Sequence, residues 1–251
     1  MKSSKMKMTV DSHTHPYQVR RCYEEMELYA ETALAKGLTG IAFTEHAPMS
    51  FPLDSHFLTE AELERYMVDG LRCQKAYKGK LDITLGVEAD YFPANMDYLA
   101  KLIDRYQIPY VSASIHFHLV FWQLTIGNAD PRKRTQLALK ATLEAVQSGL
   151  YQTLNHLDFF RLRQASYEPE LFEDNYREIF EAMVAHDVAL EWNANGLHRD
   201  FMSPMPCAQV WRWSLDYPLR RTFGSDAHHA GNIAFQIDGY GILPPSQQPK
   251  N

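Results

Sequence analysis

Seven short apolar runs alternate along the chain with longer segments of helical spacing, and this alternation most constrains what the sequence can fold into. The runs fall at Met8–Asp11, Gly40–Thr44, Ile83–Glu88, Tyr110–Ser114, Thr153–Asn155, Ala189–Asn193 and Thr222–Ser225. Each is brief, rich in apolar residues and followed by polar or turn residues, as a buried strand should be. Between them, Tyr23–Lys36 places Met26, Tyr29, Ala30 and Ala33 at helical intervals. Thr59-Glu60-Ala61-Glu62 spells a capping box that opens a helix to about Tyr77. Further helices are expected over Met96–Tyr106, Arg132–Ser148, Pro169–His186 and Cys207–Leu215. Parallel neighbours need long crossovers, which helices supply, so repeated strand–helix units imply a parallel sheet, either a barrel or an open one. No linker-like stretch or internal repeat divides the 251 residues. One α/β domain over 8–243 is expected, with an N-terminal extension 1–7 and a C-terminal tail 244–251.

Composition narrows the partners. No segment approaches the ~20 uninterrupted apolar residues of a membrane span, and the opening MKSSKMK lacks the apolar core of a secretory signal. Cys22, Cys73 and Cys207 are scattered and never form a C-x-x-C pair, which fits a reducing cytoplasm better than a disulfide framework or a thiolate zinc site. A net charge of −6 disfavours nonspecific nucleic-acid binding. The densest positive runs, Arg132-Lys133-Arg134 and Arg220-Arg221, read as solvated surface. Oligomeric state is not legible in the sequence.

Histidines and carboxylates follow the strands. His13 and His15 come after the first, Glu45 and His46 after the second, and Glu88 and Asp90 at the third. His116 and His118 follow the fourth, His156 and Asp158 the fifth, and Asp226 and His228 the seventh. In a parallel sheet these strand ends share one rim, where α/β sites form. Any one of these residues alone reads most simply as a polar loop residue, a strand-end ion-pair partner or a satisfied core histidine. Together they read as a metal centre, because core histidines have no reason to gather after the strands of one sheet. Imidazole and carboxylate without thiolate suit Zn, Mn or Fe. Eight candidate ligands, His13, His15, His46, Glu88, His116, His156, Asp226 and His228, exceed one tetrahedral ion and imply two or three divalent metal ions. Clustered ions can acidify a water and brace the oxygens of a phosphoryl transfer.

The segments Asp11-Ser12-His13-Thr14-His15, Thr44-Glu45-His46, Gly86-Val87-Glu88-Ala89-Asp90-Tyr91, Ser114-Ile115-His116-Phe117, Asn155-His156-Leu157-Asp158 and Gly224-Ser225-Asp226-Ala227-His228 resemble, in order, the motifs of the PHP (polymerase and histidinol phosphatase) superfamily, in its histidinol-phosphatase-like branch. The resemblance implies a distorted (β/α)7 barrel, in agreement with the strand count. It implies His13, His15, Glu88 and Asp226 around one metal, Glu88 bridging to a second with His116 and His156, and His46 and His228 at a third. It also implies a phosphatase in which Glu88, Asp226 and His228 serve catalysis and Arg161 and Arg199 bind phosphate. His198 or His118 could protonate the leaving alkoxide, since imidazole titrates near neutrality. His56, His186 and His229 read as structural or surface residues.

One stretch departs from the pattern. Many family members carry a further ligand for the third metal about six residues after the H-x-H pair, where this chain has Arg20 and Arg21. Arginine stays protonated and cannot ligate. Gln18, Glu24 or Glu25 could substitute, the third site could be weak or empty, or an arginine could stand in for that charge. The resemblance favours a small phosphomonoester as substrate, histidinol phosphate first. Its aminoalcohol end would need a carboxylate, which Asp158, Asp90 or Glu45 could supply. The alternatives are a catalytically impaired metal-binding protein of the same family, and a phosphoesterase for another metabolite or a nucleotide. An amidohydrolase-type barrel lacks an evident bridging lysine at the fourth strand.

Overall fold

Every residue of the strand Gly40–His46 is buried, which explains why its sequence shows no polar alternation: both of its faces are covered. A computed structural model of the chain describes residues 8–17, 25–51, 57–162 and 167–240. The strands β1 (Val10–Thr14), β2 (Gly40–His46), β3 (Asp82–Asp90), β4 (Val111–Ser114), β5 (Thr153–Leu154), β6 (Ala189–Asn193) and β7 (Arg221–Gly224) form one parallel sheet in chain order. The helices are α1 (Met26–Ala35), α2 (Glu60–Tyr77), α3 (Met96–Tyr106), α4 (Val120–Ile126), α5 (Pro131–Gln147), α6 (Glu173–Ala185) and α7 (Ala208–Ser214).

The sheet curls until β1 and β7 meet. They join by Asp226 N–H to His13 O (2.9 Å) and His15 N–H to Ala227 O (2.8 Å) rather than by a full ladder. The buried Asp11 carboxylate reinforces the seam by accepting from Ser225 N (2.9 Å) and Ala234 N (2.8 Å), and Ser12 Oγ donates to Phe223 O (2.7 Å). The result is the expected distorted (β/α)7 barrel with a single core.

That core lies between strands and helices. Tyr29 of α1 packs edge-on against Phe43 of β2, and Tyr66 of α2 donates to Gly86 O of β3 (2.8 Å). Neighbouring strands approach closely here, since a Cβ on Gly86 would sit 2.3 Å from Tyr110 O. Strand pleating turns alternate residues of β3 to opposite faces. Leu85, Val87 and Ala89 join the apolar core, and Glu88 turns to the barrel interior, where buried His13, Ser114, Asn155 and His156 surround it. The barrel axis is therefore polar.

Several boundaries differ from the sequence reading. β1 begins and ends later than Met8–Asp11, so His13 lies within the strand; pairing of Thr14 with Phe43 across an irregular register extends it. Likewise His46 and Asp90 close strands rather than follow them, and Glu88, expected at the end of the third strand, lies two residues inside it. β5 spans only Thr153–Leu154, and β7 begins at Arg221 rather than Thr222. The expected Pro169–His186 helix divides into a 3-10 turn, Pro169–Phe172, and α6. α4 was not expected: seven residues dominated by Phe121, Trp122, Leu124 and Ile126 carry no helical polar spacing. Residues 1–7, Gln18, Arg20, Arg21, Glu24, Cys22, His56 and the tail 244–251 lie outside the described residues. No described helix is long and apolar enough to cross a membrane.

Candidate metal centre

The eight expected donors converge at one end of the barrel, with Glu88 as their hub. Its Oε1 lies 2.9 Å from His156 Nε2 and 3.4 Å from His13 Nε2; its Oε2 lies 3.0 Å from His46 Nδ1 and 3.6 Å from His15 Nε2. Asn155 Nδ2 (3.0 Å) and Ser114 Oγ donate to the same carboxylate. Asp226 Oδ1 sits 3.4 Å from His15 Nε2 and 3.8 Å from His13 Nε2. The His228 ring lies 4.4 Å from that of His15, His46 lies 4.5 Å from His15, and His116 lies 4.9 Å from His156.

Four groupings bring donor atoms within 4.8 Å of one another: His13, His15 and Glu88; His13, His156 and Asp226; Glu88, His116 and His156; and His15, His46 and His228. They share members, so the donors form one connected cluster. The donor set fits divalent cations. His13 Nε2 faces His15 Nε2 at 3.0 Å beside two carboxylates, an arrangement a cation satisfies and protons on both nitrogens do not.

Behind three of the rings stands a buried carboxylate. His13 Nδ1 donates to Glu191 Oε1 (2.7 Å), His116 Nδ1 to Asp90 Oδ2 (2.8 Å) and His15 Nδ1 to Glu45 Oε1 (3.3 Å). Each ring thus turns one nitrogen to a carboxylate and the other to the cluster, the pattern that orients metal-ligating imidazole. The charges reinforce one another. Burial disfavours charge on the Glu88 and Asp226 carboxyls, but the surrounding histidines more than offset it and hold both well below the usual carboxylate range. Burial likewise opposes charge on His13, and Glu191, Glu88 and Asp226 overcome it to raise that ring's pKa well above the ordinary value. His228 goes the other way: burial, then the charge of His15, pushes it down to about 4.

Other expected residues are placed differently. Arg161 is buried, with Nε 2.9 Å from Asp158, Nη1 donating to Ser203 Oγ (3.0 Å), Nη2 to Pro204 O (2.9 Å), and its guanidinium 4.1 Å above the Phe201 ring. Arg199 lies over the Phe159 ring at 5.8 Å, and its buried Nε has no hydrogen-bond partner among the described residues. Phe159 itself touches the cluster, 5.0 Å from His116 and 4.9 Å from His156. His198 is exposed and stacks on Phe235 at 4.1 Å. Asp158, Asp90 and Glu45, the carboxylates reserved for an ammonium group, are all buried and turned to protein partners: Arg161 and Cys207 N for Asp158, His116 for Asp90, and His15 and Tyr17 N for Glu45. The two basic runs are not wholly solvated. Arg134 lines a cleft with Phe117, His118, Gln123, Phe159, Phe160 and Leu162. Arg221 donates to Leu219 O (3.0 Å) and Tyr217 O (3.3 Å).

Sequence reasoning passed over Glu191, Asn155 and Asn195, whose Nδ2 donates to Asp226 Oδ2 (2.8 Å). The signal for Glu191 was present: it is a charged residue in the middle of the apolar run Ala189–Asn193.

Residues 11–195 match the sequence profile of the PHP domain. The chain belongs to the PHP domain family. Across this PHP-family chain, a Deinococcus radiodurans protein named "Probable histidinol-phosphatase" is 28% identical over 241 residues, 90% of this chain and 89% of that protein. The "Histidinol-phosphatase" of Bacillus subtilis is 26% identical over 264 residues, 92% of this chain and 97% of its own length. Among solved structures, the Lactococcus lactis histidinol phosphate phosphatase in complex with zinc, L-histidinol and phosphate superposes with a TM-score of 0.75 at 22% identity, covering 93% of this chain and 94% of that one. The structural likeness establishes the shared barrel.

Proposed function

We propose that this PHP-family chain is a cytoplasmic, metal-dependent phosphomonoesterase acting on a small phosphorylated metabolite, with two or three zinc, manganese or iron ions held by His13, His15, His46, Glu88, His116, His156, Asp226 and His228. The observation that carries the reading is the convergence of four histidines on the Glu88 carboxylate, three of the centre's rings being oriented from behind by buried carboxylates. Divalent ions bound there would acidify a water nucleophile and brace the oxygens of the transferring phosphoryl group. The protein's own part is binding and proton transfer. Arg199, whose Nε has no hydrogen-bond partner among the described residues, lies beside Phe159 and suits phosphate, whereas Arg161 spends its donors inside the protein. His118, whose ring lies 5.5 Å from His116 on the wall of the cleft, is better placed than His198 to protonate a leaving alkoxide.

Histidinol phosphate is the first substrate to test, on the names of the relatives. Arg134 favours a second reading, a phosphomonoester whose far end is anionic. Gln123 Oε1 accepts from Arg134 Nη2 (3.2 Å) while Gln123 Nε2 donates to Phe117 O, which ties the guanidinium to the cleft wall. Purified, metal-loaded protein is assayed for phosphate release from histidinol phosphate beside sugar, nucleotide, carboxylate-bearing and aminomethyl aryl phosphates. Release that stops with chelator and in His13→Ala and Glu88→Ala supports the reading, and the preferred far-end charge chooses between the substrates. Absence of release from every ester, or full activity in chelator, overturns it.

A further inference from the structure

Glu191 is a fully buried carboxylate in the middle of β6, between the apolar Leu190 and Trp192. Its side chain crosses β7 at Gly224 to reach β1. A Cβ at position 224 would fall 1.8 Å from Glu191 Oε1 and 2.8 Å from His13 Cβ, so only glycine leaves this passage open. At its far end Oε1 accepts from His13 Nδ1 (2.7 Å). Oε2 accepts from His156 N (2.7 Å) and Asn193 Nδ2 (3.0 Å). His156 has a φ of 26°, a region non-glycine residues seldom occupy, and this bond helps hold it there.

We propose that Glu191 is the positioning residue of the centre, fixing the His13 tautomer and the His156 backbone together and so setting the spacing between two ion positions. The inference rests on the metal-centre reading above. A carboxylate can only accept. His156 N–H and the Asn193 amide occupy Oε2, so Oε1 takes the proton-bearing Nδ1 of His13. A neutral ring held that way has its lone pair on Nε2, which faces Glu88 at 3.4 Å, His15 at 3.0 Å and Asp226 at 3.8 Å. Glutamine has nearly the same volume but one acceptor oxygen and one NH2. With its oxygen toward His156, the NH2 faces His13 Nδ1 and moves the ring proton to Nε2, which withdraws the ligand. Turned round, the NH2 meets the His156 N–H and the Asn193 amide.

The test compares zinc binding in wild type, Glu191→Gln and Gly224→Ala, by chelator competition and elemental analysis, with unfolding curves to confirm the fold. Both variants should bind zinc roughly 10–100-fold more weakly. Gly224→Ala removes no polar group but crowds both the Glu191 carboxylate and His13 Cβ, so its effect reports closure of the passage, and Glu191→Gln isolates the carboxylate. Histidine 15N spectra of the zinc-loaded wild type should show His13 protonated at Nδ1 and coordinated through Nε2, and that spectrum decides the matter even if a variant fails to fold. Zinc affinity within about two-fold of wild type in a folded Glu191→Gln, well short of the usual cost of losing an outer-shell partner, overturns the inference. So does coordination through His13 Nδ1. A wild type that binds no zinc overturns the metal-centre reading itself, whereas equal binding by wild type and variants overturns only the role of Glu191.

Discussion

Stripping divalent ions from this chain should give it a pH-dependent stability that the loaded protein lacks. In the metal-free protein, burial opposes charge on His15, but Asp226 and Glu45 overcome it and raise that ring from 6.5 to about 9. The folded state therefore holds the proton more tightly than the unfolded chain. The stability this contributes is fully present below pH 6.5 and is lost as pH rises through 9. The rise from 6.5 to about 9, at ~1.4 kcal/mol per tenfold change in proton affinity, makes this roughly 3 kcal/mol. Glu45, lowered to about 2 by the same pairing, is not counted again. His228 has the opposite sign: with its folded value near 4, the unfolded chain takes up the proton first, and stability falls as pH drops from 6.5 toward 4. Metal-free protein should thus be most stable near pH 6.5. At roughly 2–4 °C per kcal/mol for a chain of this size, its Tm should fall by roughly 6–12 °C between pH 6.5 and 9. A divalent ion competes with protons for the same ring nitrogens, so zinc should flatten the profile over that window. Thermal unfolding at half-unit pH steps, with chelator and with zinc, measures both curves. A metal-free Tm constant between pH 6.5 and 9, or parallel curves with and without zinc, would refute the reasoning.

Two further substitutions probe the scaffold. Arg161→Ala leaves Asp158 buried without its cation and should cost about 3–5 kcal/mol, read as a lower Tm; an unchanged Tm with a raised KM for the phosphoester would instead make Arg161 a substrate ligand. Gly86→Ala drives a methyl group to 2.3 Å from the Tyr110 carbonyl, which also accepts from Val87 N (2.9 Å), and should cost about 1–3 kcal/mol in urea unfolding.

What could be read from the sequence was whatever repeats with the architecture. His13, His46, Glu88, His116, His156 and Asp226 were visible because each stands at or near the end of a strand, and strands are legible as apolar runs. Glu191, Glu45 and Asp90 act from behind the rings. Sequence spacing says which strand a carboxylate belongs to, but the partner it reaches across a neighbouring strand depends on barrel curvature. Arg161 sits in the motif position expected of a phosphate ligand, yet whether a guanidinium meets substrate or protein is decided by Ser203, Pro204 and Phe201, some 40 residues away. Arg134 looked like one member of a charged run, and only the first turn of α5 separates it, half-buried in the cleft, from its exposed neighbours Arg132 and Lys133.

The seam between β1 and β7 ties together residues from opposite ends of the sheet, Asp11 bonding Ser225 across 214 positions of sequence. Loop closure over such a span is entropically expensive and is accomplished only once the last strand is in place. His13 and His15 stand on one side of that join, Asp226 and His228 on the other. A nascent chain, or one cut short before Arg221, therefore carries most of the imidazoles but lacks Asp226 and His228, which complete two of the four groupings. Full ion-binding capacity becomes a check on the completeness of the polypeptide, gained in the same step that finishes the fold.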